Sequence, residues 1–153
     1  MSPVDRVVAA LRDGGVVTDV RRFDDAVPTA TAAAAALGCE VGAIANSLVF
    51  DAGGTPVLVL TSGAHRVDTD VTAERIGVER LKRAQPDFVR EHTGQVIGGV
   101  SPIGHPAPIP TYVDTWLQRH PVLWAAAGHP ATVFSTTYDE LLALTGATAI
   151  DVE

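Results

Sequence analysis

Ser47-Leu48-Val49-Phe50-Asp51-Ala52-Gly53-Gly54-Thr55-Pro56-Val57-Leu58-Val59-Leu60 reads as two apolar strands, 47–50 and 56–60, on either side of a turn. β-branched and aromatic side chains suit a pleated surface, and the paired glycines supply backbone conformations that other residues resist. The spacing predicts a β-hairpin closed by the five-residue loop Asp51 to Thr55.

Outward from this hairpin, helices and strands alternate. Val4, Val7, Val8 and Leu11 fall at helical spacing before Gly14-Gly15, and Val16 to Phe23 reads as a strand. Thr29 or Thr31 caps a short alanine-rich helix, Ala32 to Leu37, that stops at Gly38 and is small enough to pack closely on a sheet. Residues 70–93 are expected to be helical in two or three short pieces, broken near Gly77 and at Gln85-Pro86 and ended by Gly94. Further strands are expected at Gln95 to Ile97, Thr111 to Asp114, Val122 to Ala126, Thr132 to Phe134 and Ala149 to Val152. Thr137-Tyr138-Asp139-Glu140 is a capping box opening a helix that Gly146 closes. Hairpins mixed with crossovers predict an α/β fold on a mixed sheet. No repeat or linker divides the 153 residues, so a single domain over 1–153 is expected.

Composition narrows the function. The hydrophobic fraction of 46% suits a globular core, and the net charge of −7 opposes indiscriminate binding to DNA or any other polyanion. Six basic residues lie between positions 66 and 90 (Arg66, Arg75, Arg80, Lys82, Arg83, Arg90), but Asp68, Asp70, Glu74, Glu79, Asp87 and Glu91 balance them, as on a solvated helical face. No apolar run approaches the roughly 20 residues of a membrane span, and the first residues lack a signal-peptide pattern, so a cytoplasmic location is expected. Cys39 is the single cysteine, which excludes an internal disulfide and a cysteine metal cluster. The five histidines show no ligand spacing; His65, His105 and His129 sit beside turn residues and read as solvated loop histidines. Neither metal nor cofactor is expected.

The segment Gly98-Gly99-Val100-Ser101-Pro102-Ile103-Gly104-His105-Pro106 carries most of the functional signal. Three glycines and two prolines preclude a helix or a central strand, and such a loop exposes backbone N–H groups suited to a carbonyl oxygen, carboxylate or phosphate. It is not a nucleotide P-loop, because His105-Pro106 stands where Lys-Ser/Thr is required. Nor is it a nucleophile elbow, because Ile103 occupies the position of the second glycine. A tight surface turn without chemistry remains the plain alternative.

Three segments together resemble the YbaK/prolyl-tRNA synthetase editing-domain superfamily of aminoacyl-tRNA deacylases. They are Ala43-Ile44-Ala45-Asn46-Ser47-Leu48-Val49-Phe50 behind the alanine helix, the Gly98 to Pro106 loop with Asp114, and Gly128 followed by Leu141 to Ala147. The resemblance implies a mixed, mostly antiparallel sheet curled toward a barrel with flanking helices, and a pocket for the acceptor end of an aminoacyl-tRNA. The reaction it implies is hydrolysis of the ester of a mischarged tRNA, needing a positioned water and oxyanion donors rather than a triad. Gly99, Ser101 and Gly104 are the candidate donors. Asp114 anchors an amino group, orients water or caps the following turn. Phe23, Asn46, Ser47, Pro102, His105 and Gly128 are the candidate substrate contacts. Family members with demonstrated editing typically carry lysine where Asn46 stands, and Lys82 is the only lysine in this chain. A neutral amide in place of an ammonium leaves a second function open, a non-catalytic binder of aminoacyl-tRNA or an adenosine-like ligand.

Overall fold

The computed structural model describes residues 1–153, and the predicted hairpin lies at its centre. Strands β2 (Ala45–Ala52) and β3 (Thr55–Ser62) pair antiparallel from Ala45 opposite Ser62 to Ala52 opposite Thr55. Both are longer than the apolar runs suggest, because the turn is Gly53-Gly54 alone. With φ of +66° and +95°, these two glycines turn the chain in two residues instead of five. Asp51 Oδ1 accepts the Gly54 N–H at 2.6 Å and ties the turn to the strand.

Around the hairpin lie β4 (Lys82–Arg83), β5 (Thr111–Asp114) and β8 (Thr148–Ile150), in the order β4-β2-β3-β5-β8. β5 runs parallel to both β3 and β8, whereas β2 pairs antiparallel with its two neighbours. β1 (Arg21–Arg22), β6 (Leu123–Ala126) and β7 (Thr132–Thr136) form a second, antiparallel sheet in the order β1-β7-β6. The strands are therefore mixed and mostly antiparallel, as expected, but divided between two sheets that do not close into a barrel. An isolated bridge from Ile44 to Trp124 links the sheets.

Alternation along the strands sorts the side chains. Ala45, Val49, Leu58, Leu60 and Val113 join the main core with Leu123, Ala125 and Phe134 of the second sheet. Val7 and Leu11 of α1 (Pro3–Asp13) and Leu141 of α5 (Tyr138–Thr145) complete it. The opposite face, Phe50, Val57 and Val59, is covered by Ala73 of α3 (Thr69–Ile76), Leu81 and Val152. β3 is thus buried on both faces, which is why Val57 to Leu60 is apolar without interruption. The alanine helix α2 (Ala30–Leu37) is capped by Thr29, whose Oγ1 accepts the Ala32 N–H, and its small side chains let Ala33 and Ala34 reach Ile44.

Three expected elements differ. Only Arg21 and Arg22 of the 16–23 stretch form strand pairs; Val17 is 99% exposed, and Val16 donates back to Leu11 at the end of α1. The 70–93 region breaks where predicted, but β4 lies between α3 and α4 (Pro86–Thr93), its two charged residues pairing with Phe50 and Asp51 at the sheet edge. Residues 95–97 form no strand, because Gln95 turns inward. No helix is long and apolar enough to cross a membrane.

Gly54→Val is expected to cost about 1–2 kcal/mol, the penalty of a left-handed backbone on a residue with a Cβ. Urea unfolding should show a lower midpoint with an unchanged slope.

Candidate functional site

β2 lacks a strand partner along part of one edge. β4 pairs only with Phe50 and Asp51, and Ile44 alone meets Trp124. A cavity of about 570 Å³ opens along this edge, a size suited to a small ligand. Asn46 and Ser47 line it, with Pro28 before α2 and Ala33 on it, Gly98 and Val100 of the glycine-rich loop, and Trp124 of β6. Thr61, His65, Arg66 and Arg83 supply further polar groups.

Successive strand residues face opposite ways, so Asn46 and Ser47 have different surroundings. Asn46 stands opposite Thr61 of β3 and shares its face. Thr61 Oγ1 in turn donates to Asp114 Oδ2 at 3.3 Å. Ser47 faces the side of Ala45 and Val49. Its Oγ is buried and has no hydrogen-bond partner in the protein.

Asp114 ends β5 and is completely buried. Its Oδ2 accepts the Ser62 N–H at 3.0 Å and meets His65 Nδ1 at 2.8 Å, and its Oδ1 accepts the Trp116 N–H at 2.9 Å. The capping role expected of it is therefore present, at the start of the short 3-10 turn Thr115–Arg119. Its remaining capacity is taken up by β3 and His65, and it does not line the cavity. His65 is no solvated loop histidine: its side chain is 13% exposed and its ring packs on Trp116 at 4.5 Å between centroids.

The glycine-rich loop is pinned from within. Buried Gln95 accepts the Ser101 N–H on Oε1 at 2.7 Å and donates from Nε2 to the Ile103 carbonyl at 3.3 Å. The Gly99 N–H goes to Val96 O at 2.9 Å. Two of the three expected oxyanion donors, Gly99 and Ser101, are thus consumed inside the loop. The third, Gly104, abuts α1, where an added Cβ would lie 3.1 Å from Val7. A Cβ on Gly99 would come within 2.7 Å of the His129 and Pro130 backbone, so this position must be glycine for the loop to dock. Gly98 and Val100 alternate with the consumed positions; they line the cavity and donate to no backbone carbonyl.

The other candidates serve the frame. Pro102 is buried behind the loop, and His105 Nε2 meets the Ser101 carbonyl at 2.8 Å instead of reaching the cavity. Gly128, at φ +98°, packs against the start of α1, where an added Cβ would lie 3.1 Å from the Pro3 backbone. Phe23 is half-buried, its N–H bonded to Ala131 O and its ring under the Arg21 guanidinium. Of the residues singled out from sequence, Asn46 and Ser47 line the cavity. His65, Thr61, Arg66, Arg83, Gly98, Val100 and Trp124 join them. The available signal for His65 was its place just beyond an apolar strand, but only the parallel β3–β5 pairing shows that Asp114 ends beside it. No three His, Cys, Asp or Glu side chains converge as a metal site requires.

Residues 24–144 match the model of the aminoacyl-tRNA editing domain. The chain is 31% identical to the uncharacterized protein YwhH of Bacillus subtilis (strain 168) over 124 residues, 80% of this chain and 78% of that protein. It is 28% identical to the "Putative Cys-tRNA(Pro)/Cys-tRNA(Cys) deacylase EbsC" of Enterococcus faecalis (strain ATCC 700802 / V583) over 118 residues, 76% of this chain and 72% of EbsC. A crystal structure described as that of a "putative trans-editing enzyme for prolyl tRNA synthetase" superimposes with a TM-score of 0.91 at 41% identity, covering 100% of this chain and 98% of the other.

Burial holds His105 below the ordinary histidine value, against a smaller opposing pull from the Ser101 carbonyl. A depressed folded value means that the unfolded chain takes up a proton first as the pH falls, so stability is lost from about pH 6.5 downward. The stability gap between wild type and His105→Gln, read by urea unfolding, should be widest at pH 7 and above and should narrow towards pH 5.

Proposed function

The chain belongs to the aminoacyl-tRNA editing domain family, and from that premise we propose that it is a free-standing, trans-acting deacylase over residues 1–153, hydrolysing the ester of a mischarged tRNA in the cytoplasm. The observation that carries this reading is the buried, unpartnered Oγ of Ser47, a residue that lines the cavity together with Gly98 and Val100, whose N–H groups are uncommitted. A buried hydroxyl without a partner is costly unless a ligand supplies one. The cavity accommodates an amino acid with its terminal ribose, and Gly98 and Val100 provide donors for the oxygen that gains charge when water attacks the ester.

The trans-editing relative of prolyl-tRNA synthetase and the EbsC name favour editing of the prolyl-tRNA type. Contact with the tRNA acceptor end falls to Arg66 and Arg83, which line the cavity and take part in no ion pair. In a chain of net charge −7, these two guanidiniums give RNA phosphate a local foothold. One feature favours a second reading, the binder without turnover: Asn46 brings no positive charge to the cavity, and Lys82 lies on β4 outside it.

A panel of mischarged tRNAs, run with wild type and Asn46→Lys side by side, separates the two. Release of amino acid from at least one tRNA by wild type is expected; a flat panel at high protein concentration, with binding retained, selects the binder. Ser47→Ala should leave the melting temperature unchanged or raised while KM increases by about three- to tenfold, the value of one hydrogen bond made only to substrate. Arg83→Ala should weaken tRNA binding and lower the slope of log affinity against log salt by about 0.7, the share of one phosphate contact on a single strand.

A further inference from the structure

The deacylase reading leaves open which group accepts the proton of the attacking water, and Asn46 has no basic atom for it. We infer that His65, held by Asp114, is that group. The inference rests on the proposed function for its substrate and on the geometry of β3, β5 and the cavity for the residue.

The tautomer follows from the partners of Asp114. Ser62 N–H, Trp116 N–H and the Thr61 hydroxyl all donate to this carboxylate, so it acts as an acceptor throughout. At 2.8 Å, His65 Nδ1 donates as well, which leaves Nε2, 3.5 Å from Glu153 Oε1, as the proton-accepting atom of the ring. Trp116 fixes the ring plane, with the Arg119 guanidinium lying over the indole. The charged groups around His65 are Asp114 from the end of β5, Glu153 from the C-terminal segment, with Oε1 3.5 Å from Nε2, and Arg66 next in the chain. Arg119 lies beyond Trp116. Asp114, accepting from Nδ1, holds the ring in one orientation.

His65 lines the same cavity as Asn46, Ser47 and Gly98. As a water oxygen bonds to the ester carbonyl carbon, Nε2 takes one water proton and the carbonyl π electrons move to oxygen. Collapse of this intermediate re-forms the carbonyl and breaks the bond to the ribose oxygen, which takes the proton back from Nε2. The products are the free amino acid and the tRNA hydroxyl. Asp114 touches neither water nor ester and is a positioning residue.

Two measurements test this. Deacylation is followed from pH 5 to 8.5 for wild type, His65→Gln and Asp114→Asn. His65→Gln is expected to lower kcat by about 100-fold or more with KM within about twofold, and to abolish the acid limb of the kcat profile. Asp114→Asn should fall between the two. A His65→Gln protein with wild-type kcat and an unchanged acid limb overturns the assignment. The second measurement uses unmodified protein carrying 15N-labelled histidine, and so stands even if a variant does not fold. The His65 ring is expected as the Nδ1–H tautomer, and its Nε2 resonance should shift on saturation with a 3′-amide analogue of alanyl-, cysteinyl- or prolyl-adenosine. An Nε2–H tautomer, or a resonance that none of the three analogues moves, overturns the role of His65. Absence of wild-type turnover across the tRNA panel overturns the deacylase reading instead, and the ring resonance then decides on His65 alone.

Discussion

The buried carboxylate of Asp114 is the constraint on which the arrangement depends. A carboxylate withdrawn from water costs several kcal/mol unless donors replace the water it has lost. Here the donors come from separate parts of the chain: Thr61 and Ser62 at the end of β3, His65 three residues beyond that strand, and Trp116 in the turn that follows β5. One charge thereby fixes the alignment of two parallel strands, the path of the chain after β3 and the start of a 3-10 turn. Removing any donor leaves part of a buried charge unmet, so the cluster holds together as a unit.

The wall across the cavity uses the opposite strategy, with neutral groups and close backbone contact. Gln95 replaces the missing ladder of an irregular loop by bonding both the Ser101 N–H and the Ile103 carbonyl. Gly99 and Gly104 let neighbouring backbone approach to distances that a side chain would forbid. The loop therefore presents Gly98 and Val100 from a fixed frame.

Between these walls, β2 does two things at once. Ala45 and Val49 anchor it in the main core, while the intervening Asn46 and Ser47 border a stretch of edge that no strand covers. β4 is only two residues long and Ile44 makes only one bridge, so the edge is interrupted enough to admit a small ligand.

The hairpin, the capped helices and the glycine-rich loop were all legible in the chain itself, because each depends on residues close together in sequence. Thr29 before the alanines, Thr137 with Glu140, and Gly53-Gly54 between apolar runs act locally through backbone geometry and short hydrogen bonds. Glycine and proline spacing marked Gly98 to Pro106 as an irregular loop, but which of its N–H groups remain free was settled by Gln95 and Val96. His65 looked like an ordinary loop histidine until the β3–β5 pairing placed a buried carboxylate against its ring, across 49 residues of sequence. Local patterns determined most of the elements. Which polar atoms are consumed and which are left without a partner belonged to the tertiary structure, because burial and long-range strand pairing decide it.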